Sequence, residues 1–89
     1  MIPDEYNRAF HELMSEIKGV SHCSDIKTGY VSSAAYVHLY GLLLAKLSDE
    51  DLKAVADRLK SIKYFNVVIQ AQVAAMNLEA RSRGLAWRI

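Results

Sequence analysis

A largely apolar stretch lies near the middle of the chain, from Val31 to Leu47, with the sequence VSSAAYVHLYGLLLAKL and no formal charge before Lys46. Placed on a helix, its apolar residues cover every side, a pattern typical of a helix that is buried all round. A serine at the start of the stretch can act as an N-cap by accepting a backbone N–H bond, and both Ser32 and Ser33 are candidates. We therefore predict a central apolar helix over residues 32–47.

A membrane span is the competing interpretation of this stretch. Two serines, His38 and Gly41 interrupt it. Its most apolar part, residues 34–47, is also shorter than the roughly 20 residues that a membrane-spanning helix needs. We therefore expect a core helix and no contact with a membrane.

The residues before this stretch predict a helix over residues 4–18. Pro3 and the acids that follow it are typical of a helix start, and Gly19 is typical of a helix end. The apolar residues recur at helical spacing along one face: Tyr6, Phe10, Leu13, Met14 and Ile17. Residues 20–30 show no period and are rich in turn-forming residues, so they are predicted to form a connecting loop or to hold one short helical turn.

A third helix is predicted over residues 49–62. Ser48 can cap it, and the three acids that follow favour the positive end of the helix dipole: Asp49, Glu50 and Asp51. Lys53 and Asp57 are one turn apart and are expected to form an ion pair on its outer side.

The end of this third helix allows two interpretations, because no glycine or proline occurs from Leu42 to Arg83. We favour a bend at residues 63–66 followed by a fourth helix over residues 67–83, since helices average about 11 to 12 residues. The alternative is one continuous helix over residues 49–83, with Asn66 in a coiled-coil core position that fixes register. Either way the chain is predicted to be a single all-α domain, residues 1–89, a bundle of about four helices.

Composition indicates that the chain is stabilised by association with another chain. Its 89 residues are 52% hydrophobic, and so small a domain gains little stability from its own core. One cysteine, Cys23, cannot form an internal disulfide, and no zinc-finger spacing occurs, so self-association is the remaining source of stability. A free thiol and a start without a signal-peptide pattern predict a cytoplasmic protein.

The function favoured by these observations is protein–protein association without catalysis, as a homodimer or as an adaptor or inhibitor of a larger protein. Arginine, tryptophan and other aromatic residues are enriched at interface hot spots. The candidate partner-binding residues are therefore Arg81, Arg83, Trp87, Arg88, Tyr64 and Phe65. The tail that carries Trp87 is apolar and is expected to dock on the domain or on a second subunit.

Nucleic-acid binding by the C-terminal arginines and Trp87 is the alternative function. A formal net charge of +1 is low for such a protein, and no helix-turn-helix pattern is visible. A third possibility is a metal- or thiol-dependent site around His22 and Cys23, with His11, His38 or Asp25 as further ligands. Because the spacing does not require these residues to converge, we predict no enzyme activity, no catalytic or metal site and no cofactor.

Overall fold

The computed structural model describes residues 2–16, 20–21, 31–63 and 67–89. This part of the chain contains four helices: α1 (Asp4–Glu16), α2 (Ser33–Leu44), α3 (Asp49–Lys60) and α4 (Val67–Ser82). Two strands of two residues each, β1 (Val20–Ser21) and β2 (Val31–Ser32), pair in parallel with Val20 opposite Val31. The predicted all-α bundle is confirmed, and the ends of the predicted connecting loop are held together by this short pairing.

Helix α2 lies at the centre of the bundle, with α4 along one flank and α1 along the other. α1 runs antiparallel to α2, since Tyr6 contacts Tyr40 whereas Met14 contacts Tyr36. α4 runs parallel to α2, because Gln72 reaches Tyr36 near the start of α2 and Arg83 reaches its end. Helix α3 packs against α4.

Both predicted serine caps are present. The Ser32 hydroxyl accepts a hydrogen bond from the Ala35 amide at 3.1 Å, and the Ser48 hydroxyl accepts one from the Asp51 amide at 3.1 Å. Each bond satisfies an amide that the first turn of a helix leaves without a partner. These two local interactions fix where α2 and α3 begin.

The continuous helix over residues 49–83 is wrong, and the prediction of two separate helices is confirmed. Helix α3 ends at Lys60, and the next residue, Ser61, directs its hydroxyl to the Arg58 carbonyl at 2.7 Å. The Ile62 amide then bonds three residues back, to Leu59, which tightens the turn. Residues 64–66 lie outside the described part of the chain. Helix α4 lies on the flank of α2.

Helices α2, α3 and α4 all end earlier than the sequence predicts, α3 at Lys60 instead of residue 62. α2 stops at Leu44 instead of residue 47, because the amides of Lys46 and Leu47 bond three residues back instead of four. α4 stops at Ser82, and Gly84 follows with φ 70°, a left-handed conformation that glycine adopts without strain. α1 is described to Glu16, and the predicted end at residue 18 lies outside the described residues.

The core combines aliphatic side chains with a row of tyrosines. Its largest fully buried side chains are Tyr36, Tyr40, Leu44, Leu52, Val55 and Met76. The Gln72 side-chain amide donates to the Tyr36 hydroxyl at 2.9 Å, and that hydroxyl donates to the Met14 sulfur at 3.1 Å. The hydroxyls of Tyr6 and Tyr40 bond to each other. Every described buried polar side-chain atom has a partner.

Among the described residues, no helix is both long and apolar enough to cross a membrane.

Candidate association surface

The outward side of α2 is exposed, although the sequence predicts a helix buried all round. Leu39 is 38% exposed and Leu42 is 52% exposed, and Leu78 of the neighbouring α4 is 56% exposed. The two flanking helices cover the sides of α2, and its inner side faces the core. No described residue covers the side that remains.

A groove of about 500 Å³ runs between α2 and α4. Small residues make up much of its lining: Ala34, Gly41, Ala45 and Ala75. Leu42 and Leu78 line it from the two helices, and His38, Glu79 and Ser82 supply polar groups. The groove is therefore wide, shallow and largely apolar.

A second groove, of about 300 Å³, runs between α1 and α2. Leucines from both helices line it, among them Leu13, Leu39 and Leu43, and Leu42 lines this groove as well as the first. The outward row of α2 is therefore a ridge between two grooves. We call this ridge, Leu78 and the two grooves the α2 surface.

Among the described residues, nothing in the packing around Gly41 requires a glycine. A Cβ atom added to it would meet no heavy atom within 4 Å. Glycine inside a helix is less stable than alanine by about 1 kcal/mol. The described contacts around Gly41 do not offset this loss of stability. Glycine does allow another backbone to approach closely.

Charges of both signs lie at the edges of the α2 surface. Because α1 is antiparallel to α2, Glu12 and Glu16 lie beside the N-terminal half of α2, whereas Lys46 lies beyond its C-terminal end. The surface therefore has an acidic margin at one end of the ridge and a basic residue at the other.

Among the predicted partner-binding arginines, Arg83 connects three helices of its own chain. The half-buried Arg83 guanidinium donates to the Glu79 carboxylate at 2.8 Å, to the Asp49 carboxylate at 2.9 Å and to the Leu44 carbonyl at 3.0 Å. The bond to Glu79 in particular raises the pKa of Arg83. Arg83 thus joins the end of α4 to the end of α2 and the start of α3.

The rest of the predicted partner-binding set is dispersed. Trp87 packs against the core cluster, with the Lys53 ammonium 5.7 Å from its ring centroid, so the tail docks on the domain as expected. The Arg88 guanidinium donates to the carbonyls of Leu85 and Trp87 at 2.7 and 2.6 Å. Arg81 is exposed. Tyr64 and Phe65 lie outside the described residues.

The predicted thiol or metal region, His22, Cys23 and Asp25, also lies outside the described residues. Within the described ranges, no group of three or more histidine, cysteine, aspartate or glutamate side chains is placed to hold a metal ion. His38 lines the groove between α2 and α4, and His11 is exposed on α1.

The sequence did not single out Leu39, Leu42 and Leu78 as a surface, although it contained a signal for one. A helix that is apolar on every side needs neighbours on every side, and this chain folds two helices onto its flanks. Which side stays open depends on packing, and periodicity gives no information about it.

The chain was compared with models of known protein families, with curated proteins and with solved structures, and none of them matches it. The interpretation of the α2 surface therefore depends on its own geometry and chemistry.

Proposed function

We propose that this protein acts by association with another protein chain and that the α2 surface is the binding site. The observation that carries the proposal is the exposed ridge of Leu39 and Leu42 between two grooves, with Leu78 beside it. Single exposed leucines are ordinary, but a contiguous apolar patch rimmed by polar groups is typical of an interaction site.

The composition of the surface supports a protein partner. Its centre is aliphatic, and its charged groups, such as Glu12, Glu16 and Lys46, lie at the margins. Protein interfaces have the same arrangement, with few charges at the core and polar groups at the rim. A helix-shaped partner fits best, because ridges of one helix pack into the grooves of others.

The nucleic-acid alternative receives no such support. Binding to phosphates depends on several available cations, and Arg83 is committed to two carboxylates and a carbonyl of its own chain. The absence of catalysis and the cytoplasmic location stay predictions from the sequence, and we propose both together with the association function.

Site-specific photo-crosslinking in cells tests the proposal. A photo-reactive amino acid replaces Leu42 on the ridge or, as the matched control, Lys60, which is exposed on α3. We expect a discrete protein adduct from position 42 and little or none from position 60. The adduct from position 42 should be lost when Leu78 is also changed to Glu, because a carboxylate in the groove must be desolvated on binding.

Circular dichroism provides the folding control, since an exposed Leu78→Glu change should leave the helical spectrum intact. The proposal is overturned if the chain folds and position 42 gives no protein adduct, or if positions 42 and 60 give the same adducts.

A further inference from the structure

We infer that the α2 surface binds a second copy of this chain, with the two α2 helices crossing in antiparallel orientation about a two-fold axis near Gly41 and Leu42. This inference rests on the proposed function, and it specifies the partner and the contact. In a two-fold dimer the same patch of each copy must complement itself.

The shape of the α2 surface meets that requirement. Each copy offers one ridge and two grooves, and Leu42 lines both grooves. In an inclined crossing, the C-terminal end of one α2 lies over the α1–α2 groove of the other copy, and its N-terminal half lies over the α2–α4 groove. The symmetry then places the second copy in the same way on the first, so both grooves of both copies are filled.

The charges select the antiparallel orientation. In a parallel pair, Lys46 of one copy would face Lys46 of the other. In the antiparallel pair, Lys46 instead lies over the N-terminal half of the other α2, beside Glu12 and Glu16 of that second copy. Opposite charges across an interface fix its register and orientation, and like charges in contact oppose it.

Gly41 lies where the two helices cross. Its missing Cβ would point into open space in a single chain. At a crossing, the same missing atom lets two helix backbones approach closely. The contact accounts for a glycine inside a helix that the packing of the described residues in one copy does not require.

The extent of the surface is adequate for a modest dimer. Ten residues line the α2–α4 groove and eight line the α1–α2 groove, with Leu42 in both, so seventeen residues are available. Stable interfaces use about 20 to 30 residues a side. The surface is just below this range, and we expect a dimer that dissociates at micromolar concentrations.

The first test uses Gly41→Ala and sedimentation equilibrium. Alanine stabilises a helix interior relative to glycine, so the melting temperature of the monomer, measured at high dilution, should rise. The added methyl group separates the crossing helices, so the dissociation constant of the dimer should rise by about tenfold or more. Ala54→Gly on α3 is the control, and it should lower the melting temperature without changing the dissociation constant.

The second test measures the relative orientation of the two α2 helices by disulfide formation between introduced cysteines. It uses a Cys23→Ser background, which removes the natural cysteine. Position 38 of one copy and position 45 of the other are equally distant from the proposed axis, and both residues line the α2–α4 groove. We expect a His38→Cys chain mixed with an Ala45→Cys chain to give more mixed disulfide than either variant alone gives with itself. Disulfides require Cα atoms within about 7 Å, so the reaction reports true proximity.

The outcomes separate this inference from the proposed function. A dimer that Gly41→Ala does not weaken, or one that links position 38 to position 38, overturns the antiparallel contact and leaves association through the surface standing. A monomer whose position 42 photo-crosslinks to a different protein also overturns the inference alone. A monomer that gives no adduct from position 42 overturns both.

Discussion

The hydroxyls of Tyr6 and Tyr40 form one of the few polar contacts inside this core. They bond to each other, Tyr40 is 1% exposed and Tyr6 is 6% exposed. A buried hydrogen bond adds little net stability, but a buried hydroxyl that loses its partner is costly. Removing only one of the two hydroxyls should therefore lower stability more than the loss of one hydrogen bond alone.

We expect Tyr40→Phe to destabilise the chain by about 1 to 2 kcal/mol, because it leaves the Tyr6 hydroxyl in the core without a hydrogen-bond partner. The double variant Tyr6→Phe with Tyr40→Phe should cost less than the two single changes together, since both polar groups are then gone. Urea unfolding at one fixed protein concentration measures all three variants. Additive losses would show that the two hydroxyls do not depend on each other.

At the scale of the elements, the bundle is held together where helices end. Arg83 follows α4 and bonds to Leu44, the last residue of α2, and to Asp49, the first residue of α3. Its side chain is 17% exposed, so these bonds are only partly screened by water. Helix dipoles add to the effect, because a cation near the C-terminal end of a helix is favourable.

Replacing Arg83 by Met should lower the free energy of unfolding by about 1 to 2 kcal/mol, since four charge-assisted bonds are lost from a half-buried position. Arg83→Lys should recover only part of this, because an ammonium group cannot reach several acceptors at once. Urea unfolding provides the measurement, with Arg81→Met as the matched control. Arg81 is exposed and lies two residues before Arg83. Equal losses of unfolding free energy from both variants would refute the role of Arg83.

For the whole molecule, three tyrosines link stability to pH. Burial raises the pKa of Tyr6, Tyr36 and Tyr40 above the ordinary tyrosine value of 10.0. The folded chain therefore keeps these phenolic protons at a pH at which the unfolded chain releases them. Their contribution to stability is complete below about pH 10 and is lost as the pH rises above that value.

We expect the free energy of unfolding, measured with urea, to fall steeply above about pH 10, by up to about 1.4 kcal/mol per pH unit for each buried tyrosine. In a Tyr30→Phe, Tyr64→Phe background, which leaves only these three tyrosines, the ultraviolet absorbance of tyrosinate should rise together with unfolding and not before it. The Tyr6→Phe with Tyr40→Phe double variant is the control, and its stability should depend less on pH. A flat urea midpoint up to pH 11 would contradict the burial of these groups.

The sequence by itself determined the elements of this protein. The sequence predicted a cap at Ser32 or Ser33, a cap at Ser48 and the Lys53–Asp57 ion pair, and Ser32, Ser48 and the ion pair are observed. It also predicted that the Trp87 tail docks on the domain or on a second subunit, and the tail packs on the domain. These features follow from spacing over a few residues or from simple apolarity, which a sequence displays directly. The bend after α3 was also favoured, although helix length was the only ground for it.

Only the tertiary structure decided which side of α2 stays exposed and what Arg83 does. A helix that is apolar all round has no preferred inner face, so its open side depends on where α1 and α4 come to rest. The Asp49 and Leu44 partners of Arg83 are 34 and 39 residues away along the chain, beyond the reach of any local pattern. Both features arise because distant segments meet, and the α2 surface is a part of α2 and α4 that the described segments leave uncovered.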